Sequence, residues 1–176
     1  MIFRATVILA TWVASAAAQS PRTAPPLEMN RLGAPSIRLA QYRGKVVGLA
    51  FILTTCSHCQ DLTRVLNKLA PAYAPRGVQF LECAYNGDGQ ATMKEFLDRF
   101  QPPFPVGWTT DAVVRAWLGI AITDPHPLYA PHMVFLDRRG TIRAEGEGDF
   151  FHNSEENIRA QVDKLLKVSG SPPSRR

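Results

Sequence analysis

The chain has 176 residues, enough for one domain with a real core and marginal for two. Its net charge is +5, but the basic residues are scattered: only Arg138-Arg139 and Arg175-Arg176 are adjacent. Aromatic residues do not interleave with a basic stripe, so a solvated basic surface explains the charge better than nucleic-acid binding.

The first 18 residues read as an export signal. Arg4 supplies a positive start, Ala5 to Ala14 is apolar apart from Thr6 and Thr11, and Ala16-Ala17-Ala18 offers a small-x-small cleavage site before Gln19. The apolar stretch is short for a membrane span, and an uncleaved anchor is the alternative. Cleavage after Ala18 would remove Arg4 and leave 5 − 1 = +4. Residues 19–35, with Pro25-Pro26 and the Gly33-Ala34-Pro35 turn, read as a proline-rich extended lead-in. The folded domain is expected over residues 36–168, and residues 169–176 as a disordered polar tail.

Within the domain, Ser36 to Leu39 reads as a short edge strand. Val46 to Leu53 is nearly continuously apolar, the mark of a strand buried on both faces. Leu62, Val65, Leu66, Leu69 and Tyr73 then recur at helical spacing, with an end or kink expected near Pro71. Val78–Cys83 is the next strand, giving a βαβ unit that should be parallel and right-handed. After the Asn86-Gly87-Asp88-Gly89 turn, Met93, Phe96, Leu97 and Phe100 mark a second helix, ended by Pro102-Pro103. Phe104–Trp108 reads as a short strand, and Asp111 as the N-cap of a short helix carrying Val113, Val114 and Trp117. Residues 119–131 form a proline-rich loop. Met133–Leu136 and Thr141–Glu145 make a hairpin around Asp137 to Gly140. Asn153 with Glu156 suggests a capping box for a last helix that buries Ile158, Val162, Leu165 and Leu166.

The junction between the first buried strand and its helix carries Cys56-Ser57-His58-Cys59. Two cysteines two residues apart at such a junction can close a small disulfide ring. The first sulfur sits where helix amides converge, which stabilises its thiolate. That pattern fits thiol–disulfide exchange. Structural zinc would need four ligands, and the chain has no second CxxC or close His pair. Cys56 is the expected nucleophile and Cys59 the resolving thiol. His58, between them, can donate to the Cys56 thiolate; the alternative is an exposed filler. Cys83 reads as a buried core residue, with a regulatory thiol as the lesser reading. No cofactor or metal is called for.

The order β-α-β-α, a further helix, a hairpin and a last helix indicates an α/β protein of thioredoxin-like fold, a central mixed sheet with helices on both faces. The sequence itself resembles exported TlpA-like thiol–disulfide oxidoreductases, relatives of the redoxin and AhpC/TSA proteins. The resemblance lies in Gly44 to Gln60, which includes the CxxC, and in Ala130-Pro131-His132-Met133-Val134-Phe135-Leu136-Asp137. It implies that Pro131 takes a cis peptide bond beside the CxxC, where the backbone can pair with an extended substrate segment. His132 either carries protons near the sulfurs or packs into the sheet. It also implies a periplasmic or otherwise extracytoplasmic setting in a bacterium, with cysteine-containing envelope proteins as substrates and an upstream thiol redox donor.

Two departures stand out. Thr55 lies where these relatives commonly have Trp. Ala50 lies six residues before Cys56, where thioredoxins carry a buried carboxylate that accepts the Cys59 proton. Glu82 on the adjacent strand is a candidate substitute, against the alternative of a surface Glu. Three other functions compete. A peroxiredoxin-type peroxidase would need Pro and Thr where the chain has Leu49 and Leu53. A Sco-type copper-binding chaperone would use the cysteines with a distant His, such as His132, but with C-x-x-x-C spacing. A binding module would keep the pair as a structural disulfide.

Overall fold

The computed structural model describes residues 21–147 and 154–168. The signal-like segment and the polar tail lie outside these residues, as does Asn153. Among the described residues, eight strands form one sheet in the order β1-β8-β7-β4-β5-β6-β2-β3. They are β1 (Arg22–Thr23), β2 (Glu28–Arg31), β3 (Ala34–Arg38), β4 (Val46–Ile52), β5 (Val78–Ala84), β6 (Val106–Trp108), β7 (His132–Leu136) and β8 (Thr141–Glu147). Among the described residues the α-helices are α1 (Ser57–Tyr73), α2 (Gly89–Phe100), α3 (Asp111–Leu118) and α4 (Glu155–Val168).

The centre of the sheet is the expected parallel unit. β4 pairs with β5 in parallel, and β5 with β6. The β7–β8 hairpin adds antiparallel to the other side of β4. Every residue of β4 is buried. Strand alternation nevertheless divides it, because successive side chains point to opposite faces. Val46, Ala50 and Ile52 join the core beneath α1, α2 and α4, with Leu62, Leu66, Met93, Phe96, Ile158 and Val162. Val47, Leu49 and Phe51 join the core on the other face, with Cys83, Val114 and Trp117. Phe51 meets the Trp117 ring edge-on at 5.2 Å, a favoured aromatic geometry.

Several local expectations are corrected. The cap of α3 is Thr110, whose hydroxyl accepts from the Val113 amide, and Asp111 is the first helical residue. The cap of α4 is Ser154, whose Oγ accepts from the Asn157 amide. The end expected near Pro71 is met: α1 stops at Tyr73, with Pro71 inside its last turn. This proline faces solvent two residues before the helix ends, where the carbonyl its missing N–H leaves unpaired can be hydrated. The proline-rich segment is extended, as expected, yet it also joins the sheet. β1 pairs with β8 at one side, and β2 pairs with β6 at the other. Ala24, Leu27 and Met29 from this segment are buried in the second core.

Candidate active site

Residues 53–56 link the end of β4 to the start of α1. Cys56 is the N-cap of α1, with an extended backbone (φ −77°, ψ 126°). Its sulfur therefore stands at the end of the helix, where first-turn amides have no intrahelical partner and the helix dipole is positive. The Cys56 thiol is half-buried and lies 3.8 Å from the Ala130 carbonyl oxygen, to which it donates. Cys59, one turn inward, is fully buried, and its sulfur accepts from the Leu53 amide at 3.4 Å. Burial pushes the Cys59 thiol up. The Leu53 amide opposes this, while Cys56 and Glu82 add to it. All three cysteines are free thiols.

The link is held from several directions. The Thr54 amide donates to Asn86 Oδ1 at 3.2 Å, and Thr54 Oγ1 lies 2.6 Å from Thr92 Oγ1 on α2. Gln60 Nε2 donates to the Thr54 carbonyl at 3.0 Å. The turn carrying Cys56 is thus tied to both the β5–α2 loop and its own helix.

On the other side of Cys56 the Ala130–Pro131 peptide bond is cis. Two side chains fasten the loop leading to it. The Tyr85 hydroxyl donates to the Leu128 carbonyl at 3.0 Å, and the Arg115 guanidinium donates to the His126 carbonyl at 3.2 Å. Burial pushes the Tyr85 hydroxyl up, and proximity to Cys59 adds to that. Sequence reasoning missed Tyr85, Arg115 and Thr54, because their role is to hold a loop by contacts distant in sequence.

Glu82 is fully buried, so the surface reading does not hold. It sits beside Ala50 in the β4–β5 register. Alternation with Phe80 and Ala84 places it on the α1 face. A buried acid therefore stands beside Ala50, on the neighbouring strand at the same level. Burial pushes its carboxyl up to about 8, and a hydrogen bond from Thr63 opposes the rise. Thr63 Oγ1 lies 2.8 Å from Glu82 Oε1 and 3.0 Å from the Cys59 carbonyl oxygen. Sequence reasoning missed Thr63, although it stands four residues after Cys59 and so on the same helix face.

The remaining candidates separate from this group. His58 is exposed on the first turn of α1, and the expected hydrogen bond to Cys56 is not formed. His132 is buried and shares a strand face with Val134 and Leu136, which belong to the second core. It therefore faces away from the side of the sheet that carries Cys59 and Glu82. Cys83 is fully buried in that second core, so the sheet separates it from Cys59. Among the described residues, no three His, Cys, Asp or Glu side chains gather as a metal site.

Comparison with known proteins identifies relatives of the chain. Residues 21–145 match the AhpC/TSA family. The chain is 36% identical over 145 residues to the thiol-disulfide oxidoreductase ResA of Geobacillus thermodenitrificans, covering 81% of this chain and 76% of that protein. It is 26% identical to ResA of Bacillus thuringiensis over 147 residues, covering 83% and 76%. A thiol:disulfide interchange protein of the thioredoxin family from Chlorobium tepidum superposes with a TM-score of 0.70 at 21% identity, covering 83% of this chain and 97% of that one. A secreted disulfide oxidoreductase from Mycobacterium tuberculosis superposes with a TM-score of 0.62 at 22% identity, covering 79% and 96%. The fold is thioredoxin-like.

Proposed function

Because this chain belongs to the AhpC/TSA family, as a ResA-like thiol–disulfide oxidoreductase, we propose that it exchanges protein disulfides outside the cytoplasm through Cys56 and Cys59. The observation that carries this reading is the asymmetry of the pair. Cys56 is half-exposed at a helix N-terminus, and Cys59 is buried one turn deeper on the side of a buried acid.

In the reducing direction the Cys56 thiolate attacks one sulfur of a substrate disulfide. The other substrate sulfur leaves as a thiolate, and a mixed disulfide forms. Cys59 gives its proton to the Glu82 carboxylate and attacks Cys56 Sγ. The second substrate thiolate leaves, the substrate has gained two electrons, and Cys56 and Cys59 are joined. The reverse sequence oxidises a dithiol. The helix N-terminus stabilises the Cys56 thiolate both as nucleophile and as leaving group. The Ala130–Pro131 segment offers backbone beside Cys56 for an extended substrate strand. Envelope proteins with cysteines are the proposed substrates, and a separate thiol donor restores the dithiol.

The rival functions find less support. The positions that a peroxidatic site would fill with Pro and Thr are Leu49, fully buried, and Leu53. A copper site would need His132 beside the sulfurs, but it lies on the other face of the sheet.

The test is trapping with Cys59→Ala. Mixed disulfides on Cys56 then cannot resolve, and substrates from the native compartment should be recovered covalently and released by reductant. Failure to trap any, while Cys56→Ala/Cys59→Ala serves as background, would refute exchange.

A further inference from the structure

Thr63 is fully buried on α1, and its Oγ1 lies within hydrogen-bonding distance of two oxygens, the Cys59 carbonyl at 3.0 Å and Glu82 Oε1 at 2.8 Å. A hydroxyl has one proton to give, and it accepts on its lone pairs. The Cys59 carbonyl can only accept. If Thr63 donates to that carbonyl, its contact with Glu82 is a hydrogen bond only when the carboxyl carries a proton and donates it. If the carboxyl is ionised, both neighbours are acceptors, and the single proton must turn to the charge, the stronger acceptor. The Cys59 carbonyl then loses its side-chain donor. Glu82 Oε2 is buried without a partner, so Thr63 is the carboxyl's one hydrogen-bonding side chain among the described residues.

We propose that Thr63 is a positioning residue of the dithiol. Its hydroxyl is a two-way switch that holds Glu82 and turns as that carboxyl gains or loses its proton, which carries the change to the helix turn bearing Cys59. The proposal deepens the reading of Glu82 as proton acceptor and rests on it.

The surroundings leave little else to perform this role. The titratable group that bears on Glu82 is Cys59, on α1. The neighbours of Glu82 in register are Ala50 on β4 and Val106 on β6. α2 and α4 bring apolar residues to this core, Met93, Phe96, Ile158 and Val162. Burial raises the carboxyl, and the Thr63 hydrogen bond is the influence that lowers it. Removing the hydroxyl therefore makes ionised Glu82 harder to form, and with it the acceptor for the Cys59 proton.

The reduced full-length protein, mixed with one equivalent of 5,5′-dithiobis(2-nitrobenzoate), releases one thionitrobenzoate as Cys56 reacts. It releases a second as Cys59 attacks and closes the disulfide. The second phase, followed by stopped flow from about pH 5 to 10, reads the Cys59 step. Thr63→Val keeps the branched shape and removes the hydroxyl. Its second phase should inflect about one pH unit higher than wild type, with about a tenfold slower rate at neutral pH, while the first phase is unchanged. Thr63→Ser should restore the wild-type inflection. If Thr63→Val does not fold, Thr63→Ala carries the same expectation.

A wild-type inflection in Thr63→Val, equal slowing of both phases, or a Thr63→Ser that behaves as Thr63→Val would each overturn the switch. Glu82→Gln separates the two readings. Loss of its inflection supports Glu82 as acceptor, whatever Thr63 does, and retention of the inflection removes that reading and the switch with it.

Discussion

Replacing Glu82 by Gln keeps the size of the side chain and an oxygen for Thr63 while removing the ionisable proton. The Glu82 carboxyl is pushed by burial from its ordinary 4.5 to about 8. The folded protein therefore binds this proton more tightly than the unfolded chain does. The resulting stabilisation is fully present below about pH 4.5 and is lost as the pH climbs through about 8. At 1.36 kcal/mol per pH unit, the interval from 4.5 to about 8 corresponds to about 5 kcal/mol, of which about 3 kcal/mol has gone by pH 7. A domain is stable by only about 5–15 kcal/mol, so the effect is large. Urea unfolding of the reduced proteins at about pH 5, 7 and 9 tests it. Glu82→Gln should match wild type near pH 5 and exceed it increasingly toward pH 9. Cys59 and Cys83, also pushed up by burial, are present in both proteins, so the difference between the curves isolates Glu82. Parallel curves, or a Glu82→Gln protein weaker than wild type at pH 9, would refute the argument that the acid is buried without a compensating charge.

Limiting alkylation of the reduced protein should label Cys56 first, since Cys59 and Cys83 are fully buried; a mass-mapped label on either of those first would reverse the assignment. Peroxide consumption with a thiol donor should fall far below a turnover of about 10 per second, the median for enzymes, because Leu49 and Leu53 replace the groups that activate peroxide. The couple should be more oxidising than thioredoxin, roughly −230 to −120 mV, because the helix N-terminus favours reduced Cys56. In a glutathione titration His58→Ala should leave it where it is, because His58 is exposed and makes no hydrogen bond to Cys56. A wild-type value near roughly −270 mV would refute the helix argument, and a shift in His58→Ala would show that His58 acts on Cys56.

What the sequence made legible has a common physical basis: it is local and periodic. The apolar run of β4, the helical spacing after Cys59 and the hairpin around Gly140 all repeat over distances that a single segment reveals. Residues that act through register were harder to read. The chain offers Glu82 only as a candidate on the adjacent strand, because its burial at the level of Ala50 follows from the register in which β4 and β5 pair. Thr63 reads as an ordinary helix residue until Glu82 is placed beneath it. Thr110 and Asp111 are both good caps, and the choice falls to the residue with extended backbone, which composition does not encode. β1 and β2 escaped notice because they are short and flanked by prolines, and because their partners, β8 and β6, come much later in the chain.

The stretch from Arg22 to Arg38 has a consequence for how copies of the chain meet. It supplies both rims of the sheet, β1 at one end and β3 at the other. An open strand edge is a template on which another chain can add its own backbone, the first step toward aggregation. Here one rim is only two residues long, and the other carries Pro35, which has no amide to offer. The prolines that disguise this segment as a linker also make it a poor template. Proteolytic loss of the segment would bare the seven-residue β8 and the short β6 together, replacing two blunted rims with backbone edges open to self-pairing.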